Sequence, residues 1–293
     1  SAELARAHIS NELVDDALYQ VAAARLAPIS ERIERWPLQL LAETNHLRYT
    51  QGNEQALAHL GTGIEEAEHG RGPAGRWHDH LNAAHGALAI FVGDFVGAEE
   101  LFIRLPEGSP VAALERARLA LFAGDDVGAL LQAEAVSELT TVSRQAVDRG
   151  LVCAVAAWGC GDRSSAISSL RGAAQLITEI QLTSRLWGVP YDALSELTLA
   201  AAEAGAVDLR DLVARIPAPA RAFRYERLTE MEHQTLAAVA AHGSTREAAA
   251  ALFVTPGTVK KHLAAVYRKL RVSSREEAVL RATRMGVLER SVR

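Results

Sequence analysis

Residues 228–287 read LTEMEHQTLAAVAAHGSTREAAAALFVTPGTVKKHLAAVYRKLRVSSREEAVLRATRMGV, and four helix starts are written into them. Thr229 is followed three residues on by Glu232, Ser244 by Glu247 and Ser274 by Glu277. A Ser or Thr cap with Glu at the third helical position satisfies backbone donors that a first turn leaves orphaned. The fourth start is Thr255-Pro256. Threonine caps, and proline suits the first helical position, where its missing N–H costs nothing. The spacing predicts helices over 229–242, 245–252, 256–270 and 274–285, with Gly243 and Gly286 at ends that favour positive φ.

Phe253, Val254 and Thr255 separate the second and third of these helices, the tight junction of a helix-turn-helix. On the third helix Val259, Leu263, Val266 and Leu270 recur at spacings of four, three and four, a core stripe. Lys260, Lys261, Ala264 and Arg268 then face outward. Recognition helices read base edges from this first-turn end. His262 has two open readings, packing or a phosphate contact, and Glu232 either pairs with Arg275 or serves as a cap alone.

Charge divides the chain at the same place. The 293 residues carry a net charge of −5. Residues 222–293 hold 13 basic and 7 acidic side chains, leaving 18 and 29 in residues 1–221. A +6 tail on a −11 body suggests that the tail meets a polyanion and the body does not. The joint falls at Ile216-Pro217-Ala218-Pro219-Ala220, where two prolines break any helix and stiffen a connector. The domain reading is therefore 1–214 for a helical sensor or interaction domain, 215–224 for a linker and 225–293 for the DNA-binding domain.

Three lysines, Lys260, Lys261 and Lys269, are all the chain has. Nothing before residue 260 supplies a Walker-type, Schiff-base or kinase-type lysine, and no glycine-rich phosphate loop is present. Many enzyme classes fall away, and neither a cofactor nor a catalytic site is expected. No run of about 18 apolar residues suggests a membrane span, and residues 1–10 lack the apolar core of a signal peptide. A cytoplasmic protein is the expectation. The chain opens on Ser1 rather than Met, as a processed product or a piece of a longer chain would.

The body reads as helix throughout. Leu38, Leu41, Ala42 and Asn45 give one three-four face, and Leu114, Ala117, Arg118 and Leu121 another. Gly52-Asn53, Gly93-Asp94, Gly124-Asp125 and Gly161-Asp162 punctuate it at spacings of 41, 31 and 37. Five residues after each Gly stands Leu57, Ala98, Ala129 or Ala166, mostly small, as a close helix approach requires. A helix–turn–helix period of about 34 residues is the tetratricopeptide signature. Roughly Trp36 to Leu182 resembles such repeats in degenerate form, with flanking helices before and after. An irregular helical array is the competing reading. Stacked hairpins bury each face on the next and leave a concave surface lined by the first helix of each pair. The fold class is all-α: a tetratricopeptide-like helical repeat array followed by a four-helix, helix-turn-helix domain.

The tail resembles the LuxR-type, GerE-like DNA-binding domain. The residues that carry the resemblance are Leu228-Thr229, Glu232, Gly243, Glu247, Leu252, Thr258-Val259-Lys260, His262, Lys269-Leu270, Val272, Arg275, Glu277-Ala278-Val279 and Gly286. It implies double-stranded DNA as partner. It implies that Lys260 and Lys261 face base edges; Thr255, Thr258, His262, Ala264 and Arg268 complete the candidate DNA contacts, with Arg268 assigned to phosphate. Ala264 stands where a third reader is frequent, so a hydrogen bond is missing or a thymine methyl is met. Met231 stands where the family usually has Arg, and Thr245 where it has Asn. The family's last helix, matched by Arg275 to Met285, pairs two domains, so Ala278, Ala282 and Met285 are the expected face of a homodimer on DNA. A helical repeat body before such a tail resembles the carboxyl-terminal part of MalT-like, large ATP-binding LuxR regulators, whose repeats take an inducer. This chain contains no ATP-binding module, so it is either a piece of a longer regulator or a short relative.

Other chemistry-bearing residues have plainer readings. Cys153 and Cys160 are seven apart, on one helix face and packed in the core, rather than a metal or redox pair. His78, His80 and His85 sit at solvated helix positions, and no metal is expected. Trp36, Trp77, Trp158 and Trp187 are core anchors, with a ligand pocket as the lesser role. Asp125-Asp126 is a turn, not a catalytic pair. Two functions follow. One is a sequence-specific DNA-binding transcription regulator whose repeat body senses a small-molecule or protein effector. The other is a repeat scaffold that holds a partner protein, with DNA binding secondary.

Overall fold

Glycine followed by a capping residue ends one helix of the body and starts the next. The computed structural model describes residues 36–71, 78–106, 108–136, 143–180, 182–242 and 244–288. Trp77, Gly243 and the helices expected before Trp36 lie outside the described residues. Four hairpins follow one another: α1 (Trp36–Thr50) with α2 (Asn53–Arg71), α3 (His78–Phe91) with α4 (Phe95–Phe102), α5 (Pro110–Phe122) with α6 (Asp126–Ala135), and α7 (Ser143–Gly159) with α8 (Arg163–Ile180). A 3₁₀ turn (Thr183–Gly188), α9 (Tyr191–Glu203) and α10 (Arg210–Ala214) follow. The tail holds α11 (Glu230–His242), α12 (Thr245–Ala251), α13 (Pro256–Leu270) and α14 (Arg275–Arg284). The described residues form helices and loops without a strand.

The hairpin turns share one chemistry. Gly52, Gly93, Gly124 and Gly161 all have positive φ, the left-handed conformation that glycine adopts without steric cost. The next N–H then reaches back past the glycine: Asp125 N donates to Ala120 O at 2.8 Å and Asp162 N to Ala157 O at 3.0 Å. In three of the turns the aspartate caps the new helix. Asp94, Asp125 and Asp162 accept from the N–H three residues on, each at 3.0 Å. Four residues after each of these caps stands Ala98, Ala129 or Ala166, with no exposed surface. The first turn differs by one position. Its helix begins directly after Gly52, Ala56 N bonds to Gly52 O, and fully buried Ala56 rather than Leu57 takes the small-residue place. The register is set by the cap, not by the glycine.

The hairpins stack as a repeat. α3 packs on α5 and α5 on α7, while α2 packs on α3 and α6 on α7. The Leu114, Ala117, Arg118 and Leu121 face is buried as expected. The face on α1 is split. Ala42 joins Trp36 and Leu40 in the core, whereas Leu38, Leu41 and Asn45 line a cavity of about 490 Å³. That cavity is walled by α1, α3, α5, α7 and the 3₁₀ turn, the first helices of the four hairpins.

Two compact units divide at residue 224: Ser1–Val92 with Ala98–Arg224, and Gly93–Gly97 with Tyr225–Arg293. The proline segment expected as a connector is built into the first unit. Ile216, Ala220 and Ala222 are buried, and Arg224 pairs with Asp126. Prolines did stop the helix, but a short 3₁₀ turn at Ala218–Ala220 lets the segment pack instead of hanging free.

Three smaller expectations are corrected. Cys153 is buried on α7, but Cys160 lies beyond its end and is exposed, because Gly159 closes the helix before the seven-residue spacing is complete. Trp36 and Trp187 are core anchors, whereas half-exposed Trp158 stacks under the Arg163 guanidinium at 3.3 Å. Arg275 does not take Glu232. Its Nη2 donates to Val239 O at 2.6 Å, and Glu232 pairs with Lys269.

Candidate nucleic-acid interface

Each helix of the tail starts on the side chain its sequence announces. Glu232 N bonds to Thr229 Oγ1 at 3.4 Å and Glu232 Oε2 accepts from Thr229 N at 2.7 Å, a reciprocal box. Ser244 accepts from Glu247 N at 3.2 Å and donates to the Glu247 carboxylate at 2.8 Å. Ser274 accepts from Glu277 N, but the Glu277 carboxylate reaches one residue further back, to Ser273 N and Oγ. Thr255 Oγ1 accepts from Thr258 N at 3.2 Å and lies 2.9 Å from Thr258 Oγ1, with Pro256 in the first turn.

α13 is divided lengthwise. Val259 and Leu263 pack with Val239, Ala248 and Ala249, holding it against α11 and α12. Val266 and Leu270 pack with Leu236, Ala278 and Ala282, holding it against α11 and α14. The opposite side is open: Thr255, Lys260, Lys261, Ala264 and Arg268 are exposed, and Thr258 and His262 are half-buried. So the structure brings the seven expected residues together on one helix and its cap. Lys260 and Lys261 make no ion pair with any described residue. Arg268 is not idle. Its Nη1 lies 3.1 Å from Glu226 Oε1, both side chains being largely exposed, an ion pair that a phosphate can displace at small cost.

The third lysine has a different role. Lys269 Nζ donates to Glu232 Oε2 at 2.7 Å and to Arg227 O at 3.1 Å, clamping the end of α13 to the start of α11. Burial works to raise the Glu232 pKa, but the hydrogen bonds from Lys269 and Thr229 outweigh it and hold the group below its ordinary value. A depressed carboxylate stabilises the fold fully above the ordinary value of 4.5, and that contribution is lost as pH falls through the lower folded value. Thermal melting below that ordinary value should therefore show acid destabilisation that Glu232→Gln flattens. Parallel wild-type and variant melting profiles would remove the clamp from the account.

The turn between α12 and α13 holds a second feature the pattern concealed. Phe253 has φ of 55° and is 96% exposed. It sits where a helix end favours glycine, with Val254 N bonded back to Ala249 O at 3.0 Å. A left-handed non-glycine residue costs about 1–2 kcal/mol, partly offset by the extra unfolded-state freedom of glycine. Phe253→Gly should raise stability by about 0.5–1 kcal/mol, read as a higher denaturant midpoint. A lower midpoint would show that the ring contributes packing.

The expected pairing face is inside the domain. Ala278 and Ala282 have no exposed surface and Met285 packs against them, because α14 needs its small residues to approach α11 and α13. The apolar residue that α14 presents outward is Leu280, beside exposed Glu276, Glu277 and Arg284.

No group of three or more His, Cys, Asp or Glu among the described residues could hold a metal ion, and no described helix is long and apolar enough to cross a membrane. Residues 226–282 match the family described as bacterial regulatory proteins, luxR family. The chain is 36% identical over 62 residues to the spore germination protein GerE of Bacillus subtilis (strain 168). The match spans 21% of this chain and 84% of that protein. No solved structure matched the chain at a significant level. A capped four-helix domain with its lysine-bearing third helix open to solvent, and this match across it, agree: the chain belongs to the LuxR family of bacterial regulatory proteins through residues 226–282.

Proposed function

We propose that the chain is a sequence-specific, DNA-binding transcription regulator whose helical repeat unit senses a small-molecule or protein effector. The observation that carries the reading is the exposed Lys260-Lys261 pair on the first turns of α13, within the luxR-family domain. In this reading the lysines meet base edges in the major groove. Thr255, Thr258, His262 and Arg268 meet phosphate and sugar, fixing register, and Ala264 meets a thymine methyl. Residues 225–293 act as the DNA-binding domain and the hairpins before them as the sensor. The repeat unit resembles the inducer-binding repeats of MalT-like regulators, and the protein works in the bacterial cytoplasm.

One small helix-turn-helix reads few bases, so two copies bind together on an inverted repeat, with half-sites about one helical turn apart. Selection of binding sites from random duplexes by the full chain tests this. The expected result is an enriched inverted repeat, footprinted over both halves, with affinity falling steeply as salt rises. Retained binding with no enriched sequence would sink the regulator reading. Protection of a single half-site at saturation would sink the pairing.

A further inference from the structure

The cavity among the first helices of the hairpins is lined by four arginines, Arg48, Arg118, Arg144 and Arg185, against two carboxylates, Glu115 and Asp148. Both carboxylates are already engaged. Arg118 Nη1 lies 2.5 Å from each oxygen of Glu115, Arg118 Nη2 lies 3.5 Å from Asp148, and Arg185 Nη1 lies 3.1 Å from the other Asp148 oxygen. Arg48 stands differently. It is 8% exposed, and its hydrogen bonds go to neutral acceptors, Asn53 Oδ1 at 2.7 Å and Trp187 O at 2.6 Å. Its guanidinium also lies 4.3 Å from the Phe91 ring centroid. No carboxylate among the described residues pairs with it. Burying a cation without a counter-charge is costly. Burial first, then the neighbouring Arg185 and Arg118 guanidiniums, push the Arg48 pKa down. A second donor is left over as well: buried Arg118 Nε has no hydrogen-bond partner. One bound anion would answer both.

The rest of the lining is apolar. Leu41 and Leu38 lie two and nearly three turns before Arg48 on α1, about 10–15 Å along the axis. Val111 lies two turns before Arg118 on α5. All three line the cavity. At about 490 Å³ it falls in the size range of small-molecule sites. We propose that this cavity binds an organic anion, a carboxylate or phosphate head held by Arg48, Arg118 and Arg185 with an apolar body against Leu38, Leu41 and Val111. Guanidinium groups suit both heads because their planar donors match paired oxygens. The proposal rests on the reading of the repeat unit as the sensing half of the regulator.

Titration calorimetry on the full chain tests it with four probes: octanoate, octyl phosphate, octanol and octylammonium. At least one of the two anions should bind at millimolar concentration or below, at least about tenfold more tightly than octanol or octylammonium. The stronger anion identifies the head group. Arg48→Gln should weaken that binding about 10- to 100-fold. Because Arg48 is buried, Arg185→Gln, at a half-buried position, serves as the second variant and should also weaken it, with helical circular dichroism unchanged. Failure of both anions to bind overturns the proposal, as does anion binding indifferent to both variants. Equal binding of octanol overturns it too, while leaving a ligand-sensing repeat unit standing. Anion binding lost in the variants but without effect on operator affinity supports the site and sinks the sensor reading instead.

Discussion

Replacing Lys260 or Lys261 by Ala is expected to weaken binding to the selected operator by roughly five- to hundred-fold each, the equivalent of about 1–3 kcal/mol per base contact. Both ammonium groups are exposed on the first turns of α13 and are not used by the fold, since the inner stripe of that helix is Val259, Leu263, Val266 and Leu270. Stability should therefore stay within about 0.5 kcal/mol of the parent. Arg268→Ala should cost less affinity and leave sequence preference intact, because the role proposed for its guanidinium is a phosphate contact. Electrophoretic shift titrations on operator and random duplexes separate these roles. Equal losses on both duplexes for both lysines would reassign them to phosphate. Lys269→Ala is the internal contrast: it should act through stability, because its ammonium is engaged by Glu232 and Arg227 O.

Removing Arg118 should have the largest effect on the fold. The residue is 4% exposed, with Glu115 at 2.5 Å and Asp148 at 3.5 Å. Arg118→Met keeps the apolar stem but leaves two carboxylates buried with less counter-charge. Breaking a buried pair from one side costs about 3–5 kcal/mol. For a unit of this size that lowers Tm by roughly 6–20 °C. Burial already pushes the Glu115 pKa up against the pull of Arg118, so without Arg118 the carboxyl should hold its proton to higher pH still. The variant should accordingly lose less stability when melted in mild acid than at neutral pH. Arg116, two residues earlier, is the control. Its pair with Glu99 is partly solvated, and Arg116→Met should cost no more than about 1 kcal/mol. Similar Tm losses for the two variants would show that the Arg118 cluster is no more costly to break than a solvated pair.

The lysine pair and Arg118 differ in how far away the residues lie that decide their roles. The lysine pair was legible at once, because a capped start, an apolar stripe and two outward lysines are all relations within five turns of one helix. Arg118 carried a visible signal, a charge on an otherwise apolar face with Leu114, Ala117 and Leu121, but not its meaning. Its partner Asp148 comes from another hairpin. Arg48 was silent in the sequence: its acceptor Trp187 O is 139 residues away. The Leu38, Leu41 and Asn45 face shows why periodicity stops short. A three-four repeat marks a face, but a protein core and a cavity wall call for the same residues.

Local rules also misplaced features wherever a neighbour could overrule them. Ala278 and Ala282 have the size and spacing of a pairing face, yet α11 and α13 take that face. The prolines of residues 217 and 219 have the chemistry of a connector, yet Ile216, Ala220 and Ala222 find apolar cover in the repeat unit. Phe253 occupies a left-handed position that composition alone would have assigned to glycine or asparagine.

By itself, then, the sequence determined the helices, their caps and the outward lysines of α13, because capping and amphipathic periodicity act over three or four residues and need no distant partner. Tertiary structure alone decided which apolar face became core and which became cavity. It paired Lys269 with Glu232 and left Arg48 buried with no carboxylate partner among the described residues. Those outcomes depend on which elements meet in space, and the free energy of burying a charge is set by what stands opposite it.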